Sequence, residues 1–196
     1  MPKPGVHVLP QSAENRTMRH VAPASFARRA LLAPALACLA ACARGATGGL
    51  MPSSPHPHLR HTAPMFEKRD LAGRPVNSSA LRGGVWIVDF FAAYCAPCHD
   101  RFAVLRAVSQ EAAVVGVSVD EDIASAVAQV RRFALPFFVI HDPAHVLAGK
   151  FRVATLPMTF VIDATNCVAW VADARVAREQ FGAGLRQNIA AAVKTT

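Results

Sequence analysis

Cys95 and Cys98, in the stretch Tyr94-Cys95-Ala96-Pro97-Cys98, are the residues whose type and spacing speak most directly of chemistry. On the first turn of a helix, positions three apart share a face, which brings two Cβ atoms within reach of a sulfur–sulfur bond. Pro97 suits such a turn, because the amide it lacks would have no helical partner there. Cys95, at the opening, meets the positive end of the helix dipole and unpaired backbone N–H groups, both of which favour its thiolate. Cys95 is therefore the expected nucleophile. Cys98, one turn in and flanked by Phe102, is expected to be more buried, to hold its proton more tightly and to act as the resolving thiol. The same spacing also forms half of a zinc site. A structural zinc needs a second ligand pair, however, and the sequence offers only Cys167 and scattered histidines, so no metal site is assigned.

The pair must be positioned by the elements around it. Residues 85–91 (VWIVDFF), 114–119, 137–140, 159–163 and 167–171 are short apolar runs that read as strands buried on both faces. Between them, Phe102, Leu105, Val108 and Ala112, then Ile123, Val127, Val130 and Ala134, are spaced as helix stripes facing a sheet. A last helix over roughly 174–193 carries Phe181, Leu185, Ile189 and Val193, with Gly182 and Gly184 weakening its middle. This alternation predicts an α/β domain with helices on both faces of a central sheet. Asp163-Ala164-Thr165-Asn166 joins two strands at hairpin distance, so at least one pair should be antiparallel and the sheet mixed. Asp89 stands out as a carboxylate in the first apolar run: buried, its pKa would rise; at a strand edge it would be solvated.

The stretch VDFFAAYCAPC, residues 88–98, resembles the active-site strand and loop of the thioredoxin superfamily, in particular the tethered extracytoplasmic TlpA/ResA-like thiol–disulfide oxidoreductases. The resemblance covers about 66–193 and includes TLPMTFVID, residues 155–163, where the family's proline is cis and lies beside the cysteines. It implies a thioredoxin-like fold, with Cys95 and Cys98 cycling between dithiol and disulfide and no cofactor beyond that pair. It implies that Asp89 lies beneath Cys98 and takes its proton. Many TlpA-like members carry asparagine there, so this chain leans toward thioredoxin at that position. Tyr94, Pro97, Leu156 and Pro157 would receive substrate, the backbone at Leu156-Pro157 taking it as an added strand. Protein dithiols and disulfides are the implied substrates and a membrane electron donor or acceptor the implied redox partner. The Ala-Pro dipeptide favours the reducing direction, with cytochrome c maturation or other exported thiol proteins as its setting.

Departures from the pattern leave alternatives. Tyr94 replaces the common tryptophan, His99 could favour a thiolate or merely face water, Arg101 reads as a solvated helix residue and Cys167 as a small buried one. A peroxiredoxin-like peroxide reductase shares the fold, but Ala92 stands where its threonine is expected. An SCO-like copper chaperone would use the cysteines with His141 or His145, but its cysteines are normally spaced one residue further apart.

The chain has 196 residues, 53% apolar and 17% charged, which excludes a mainly disordered protein. Its formal charge of +8 is spread, half of it in residues 1–41, so no nucleic-acid partner is expected. Residues 30–43 form an apolar run interrupted by Pro34, too short to span a bilayer. Following Arg28-Arg29 and ending in small residues, the run reads as a secretory signal within residues 1–41, for which Met18 is a well-placed start. Cys38 would be lost with it. Leu39-Ala40-Ala41-Cys42 resembles a bacterial lipobox, so Cys42 is expected to be lipidated and to hold the protein on a membrane, on the periplasmic side. Residues 42–64 then read as the lipidated cysteine and a flexible tether, its histidines solvated, and 65–196 as the thioredoxin-like domain.

Overall fold

The computed structural model describes residues 51–194. The expected signal region 1–41 with its Met18 start, and the proposed lipidation site Cys42, lie outside the described residues. A small antiparallel hairpin, β1 (Glu67–Arg69) and β2 (Pro75–Asn77), leads through a 3-10 turn (Ser78–Leu81) into the main sheet. There follow β3 (Trp86–Phe91), α1 (Ala96–Val108), β4 (Ala113–Ser118), α2 (Ile123–Phe133), β5 (Phe138–His141), α3 (Val146–Lys150), β6 (Met158–Ile162), β7 (Val168–Ala172) and α4 (Arg178–Lys194).

The five-stranded sheet runs β5-β4-β3-β6-β7. β4 pairs parallel with β3 and β5, while β6 pairs antiparallel with β3 and β7, which makes the sheet mixed as expected. β3 takes the centre because all six of its residues are buried, as a strand covered on both faces requires. The β6–β7 turn closes on the Asp163 carboxylate, whose Oδ1 accepts from the Thr165 and Cys167 amides at 2.9 Å each.

Two helices and one segment depart from the sequence expectation. The period of α2 is helical but its phase is rotated: Ala126 and Gln129 are its buried residues, while Ile123 is exposed. Asp122 starts this helix by accepting from the amides of Ala124 and Ser125. In α4, Val193 is exposed, and Gly184 is a close-packed position rather than only a weak point. A Cβ at Gly184 would meet the Met51 Cβ and the Trp170 ring at 3.1 Å, so these neighbours would have to give by a few tenths of an ångström.

Residues 51–64, expected as part of a flexible tether, instead lie along β7. The Ser54 amide donates to Val171 O, Arg60 to Val168 O and Ala63 to Asn166 O, each at 2.8 Å. The Val171 amide donates in turn to Ser53 Oγ at 2.8 Å. His56 packs edge-on to Phe160 and shares a hydrogen bond with Arg152 O, and His58 does the same with Lys150 O. Apolar periodicity cannot reveal such a segment, because backbone groups do most of the pairing.

The amides of Ser54, Arg60 and Ala63 are expected to exchange with solvent at least about fivefold more slowly than random coil, since each bond contributes about 1 kcal/mol. Random-coil exchange at all three, measured by NMR, would restore the tether reading.

Candidate active site

Where β3 ends, the chain turns through Ala92 and Ala93 into α1. The turn is pinned from β4's side: the Ala93 amide donates to Asp120 Oδ1 at 2.8 Å, and Ser118 Oγ donates to Asp120 Oδ2 at 2.8 Å. Cys95 caps α1, Pro97 occupies its first turn, and the Cys98 amide donates to Cys95 O at 3.0 Å. The two sulfurs are bonded, with Cα atoms 5.3 Å apart. Cys95 is 6% exposed and Cys98 fully buried, the order expected of a nucleophile and a resolving thiol.

Cys95 opens on a groove of about 420 Å³. Tyr94, Pro97, Val119, Val153 and Leu156 line it, with His145 at its side. Tyr94 is 76% exposed, an aromatic surface beside the cysteine. The Leu156-Pro157 bond is cis, as the resemblance implied. Of the four expected substrate-contacting residues, Tyr94, Pro97 and Leu156 share this groove. Pro157 instead lines a smaller cavity of about 130 Å³ with Pro97, Arg101 and Phe181.

On the strand that leads to the cysteines, Asp89 is 1% exposed in mid-strand, which removes the solvated-edge reading. In the sheet register it lies between Gly116 of β4 and Thr159 of β6. Thr159 Oγ1 donates to Asp89 Oδ1 at 2.6 Å, and Oδ2 is buried with no hydrogen-bond partner. Burial pushes the carboxyl up to about 6, against the downward pull of the Thr159 hydroxyl and the Arg101 charge.

Arg101, expected to be solvated, is 4% exposed. Its Nη1 donates to Thr159 Oγ1 at 3.1 Å and to Ala172 O at 3.0 Å, its Nη2 donates to Asp173 O, and its guanidinium lies 4.4 Å from the centre of the Phe181 ring. A buried cation is tolerated when its donors are used and a carboxylate stands near. The available signal was its place on the helix, three residues after Cys98 and next to Phe102 on the buried stripe. Thr159 was likewise missed, since a β-branched residue in a strand reads as ordinary.

Other expected residues separate from the site. His99 is half-buried, with its ring against Phe102 and Phe133 rather than facing water. Cys167 is buried and its sulfur is engaged. His141 shares its Nε2 with Asp120 O at 2.8 Å. Among the described residues, no three His, Cys, Asp or Glu side chains gather in a way that could hold a metal ion.

The AhpC/TSA family profile matches residues 59–171, more than half of the chain. The chain belongs to that family. Among relatives, it is 27% identical over 125 residues to the thiol-disulfide oxidoreductase ResA of Geobacillus kaustophilus, covering 61% of this chain and 72% of that one. It is 27% identical over 119 residues to the thiol:disulfide interchange protein DsbE of Allochromatium vinosum, covering 58% and 66%. A DsbE-type crystal structure from Chlorobium tepidum superposes with a TM-score of 0.60 at 24% identity, over 74% of this chain and 99% of that one. A secreted Mycobacterium tuberculosis disulfide oxidoreductase superposes with a TM-score of 0.56 at 17% identity, over 62% and 95%. This AhpC/TSA-family member is a thiol–disulfide oxidoreductase of thioredoxin-like fold.

Because Asp89 binds its proton more tightly folded than unfolded, its ionisation works against folding. The sign follows: the penalty is absent below about pH 4, grows through about pH 6 and is full above it. Two units correspond to about 3 kcal/mol. Asp89→Asn is therefore expected to raise stability at pH 8 by up to about that amount. The gain should vanish near pH 4, as read by denaturant titration at both pH values; an equal effect at both would remove the buried-carboxylate account.

Proposed function

We propose that this thiol–disulfide oxidoreductase reduces disulfides of exported proteins, working on the outer side of a membrane to which lipidated Cys42 holds it. The observation that carries the reading is a cysteine pair at a helix start, its outer member on a groove and its inner member buried on the helix whose Arg101 reaches, through Thr159, a buried carboxylate of raised pKa.

The reduced enzyme acts first through Cys95. Its thiolate attacks one sulfur of a substrate disulfide, forming a Cys95–substrate disulfide and releasing the other sulfur as a thiolate. Cys98 then gives its proton to Asp89 and attacks the Cys95 sulfur. The Cys95–Cys98 disulfide forms, the second substrate thiolate leaves, and two electrons have passed to the substrate. A membrane electron donor returns the pair to the dithiol. Tyr94, Pro97 and Leu156 give the substrate segment an apolar seat, and the backbone at Leu156-Pro157 gives it a strand to pair with.

Export is supported by the basic, then apolar, then small-residue order of residues 28–43. Among the described residues, no helix is long and apolar enough to cross a membrane. Cytochrome c maturation is one setting in which an exported reductant of this kind would serve.

Insulin-disulfide reduction by the purified protein tests the activity. Cys98→Ala should accumulate a mixed disulfide on Cys95, and Cys95→Ala should accumulate none. Asp89→Asn should slow resolution at neutral pH by about tenfold or more. Peroxide consumption or Cu(I) binding without insulin reduction would transfer the chain to a rival class. The reduction potential of the pair decides the direction of flow: a potential too high for reductant duty would reverse the proposed role.

A further inference from the structure

We infer that Arg101 is a positioning residue: by orienting the Thr159 hydroxyl and by its own charge, it dictates which oxygen of Asp89 receives the resolving thiol's proton and the pH at which resolution begins. The inference rests on the reading of Asp89 as the base for Cys98 and adds the group that governs it.

The hydrogen-bond polarity leaves little choice. A guanidinium has donors only, so Thr159 Oγ1 must accept from Arg101 Nη1 at 3.1 Å. The single hydroxyl hydrogen of Thr159 is then committed to Asp89 Oδ1 at 2.6 Å. A proton on Oδ1 would meet that hydrogen, so the open seat is Oδ2, which is buried and has no hydrogen-bond partner. Arg101 cannot drift, because Ala172 O, Asp173 O and the Phe181 ring hold it on its other sides.

The charges around Asp89 are few. From α1 it faces Arg101, and Cys98 lies one turn earlier on the same buried stripe. From β6 it faces Thr159, and from β4 the register places Gly116, which has no charge. The next carboxylate, Asp173, acts on Arg101 and is itself paired with Arg175 at 2.9 Å. Arg101 and Thr159 both pull the Asp89 carboxyl down against its burial, so loss of either should move it up.

The test uses dithiobis(nitrobenzoate) as an aromatic disulfide probe. Its first thiolate release reports attack by Cys95 and its second reports resolution by Cys98, followed against pH on the whole protein. Wild type should show an acid limb in the second phase, centred near Asp89's value of about 6. Arg101→Gln and Thr159→Val should move the midpoint up by about one unit, slowing resolution at pH 6 about fivefold while rates converge at high pH. Thr159→Ser, which keeps the hydroxyl, should keep the midpoint. In an Asp89→Asn background, Arg101→Gln should add no shift. Arg101→Gln also loses the bonds to Ala172 and Asp173, so Thr159→Val, which leaves them in place, carries the test should that variant fold poorly. An unmoved midpoint in Thr159→Val, with the wild-type limb present, overturns this inference alone. A limb that persists in Asp89→Asn overturns the base reading and this inference with it.

Discussion

A carboxylate at the centre of a sheet has to be answered from within the protein, because water cannot reach it. Asp89 is answered by one hydroxyl, and that hydroxyl is in turn answered by one guanidinium. The three residues come from β3, β6 and α1, so the polar chain also ties together the strand before the cysteines, the strand after the cis proline and the helix that carries both sulfurs. Arg101 extends the tie to β7 through Ala172 and Asp173. Four elements thus converge on a site that apolar packing alone would leave without direction. The remaining unpaired oxygen is the chemical residue of this arrangement: a strong acceptor held in a dry place beneath a thiol-bearing helix.

On the proposed mechanism, keeping such a group is a compromise between folding and turnover: its ionisation works against the fold, while its proton affinity is what the resolving step would use. The compromise is local. The outer cysteine is set by different features, namely the start of α1 and the turn pinned by Asp120, which share no residue with the Asp89–Thr159–Arg101 chain.

Much of this was legible in the sequence for physical reasons. The cysteine spacing, Pro97 and the apolar run before them admit few geometries, and strand β3 lies within one residue of its expected bounds. Asp163 to Asn166 marked an antiparallel turn because they join two strands at hairpin distance, and in the structure the Asp163 carboxylate gathers the amides that close it. What stayed hidden was whatever depends on contacts between distant segments. Arg101 looked solvated because residue type outweighed its place on the buried stripe. The phase of α2 was misjudged because Ala126 and Gln129 take its most buried places, with Val130 and Phe133 packed against the core, while Ile123 faces out. Residues 51–64 carry no period because their order comes from the edge of β7.

That edge has a consequence for association. An outer strand normally offers a row of unmatched amides and carbonyls on which a neighbouring molecule can build, the usual first step toward aggregates. Here Ser54, Arg60 and Ala63 occupy positions along β7, and at the opposite border the Leu71 amide is seated on Val139 O at 2.8 Å. Both rims of the sheet therefore carry partners from the same polypeptide. A molecule whose work is to engage other chains through sulfur can do so without inviting them to stack along its flanks.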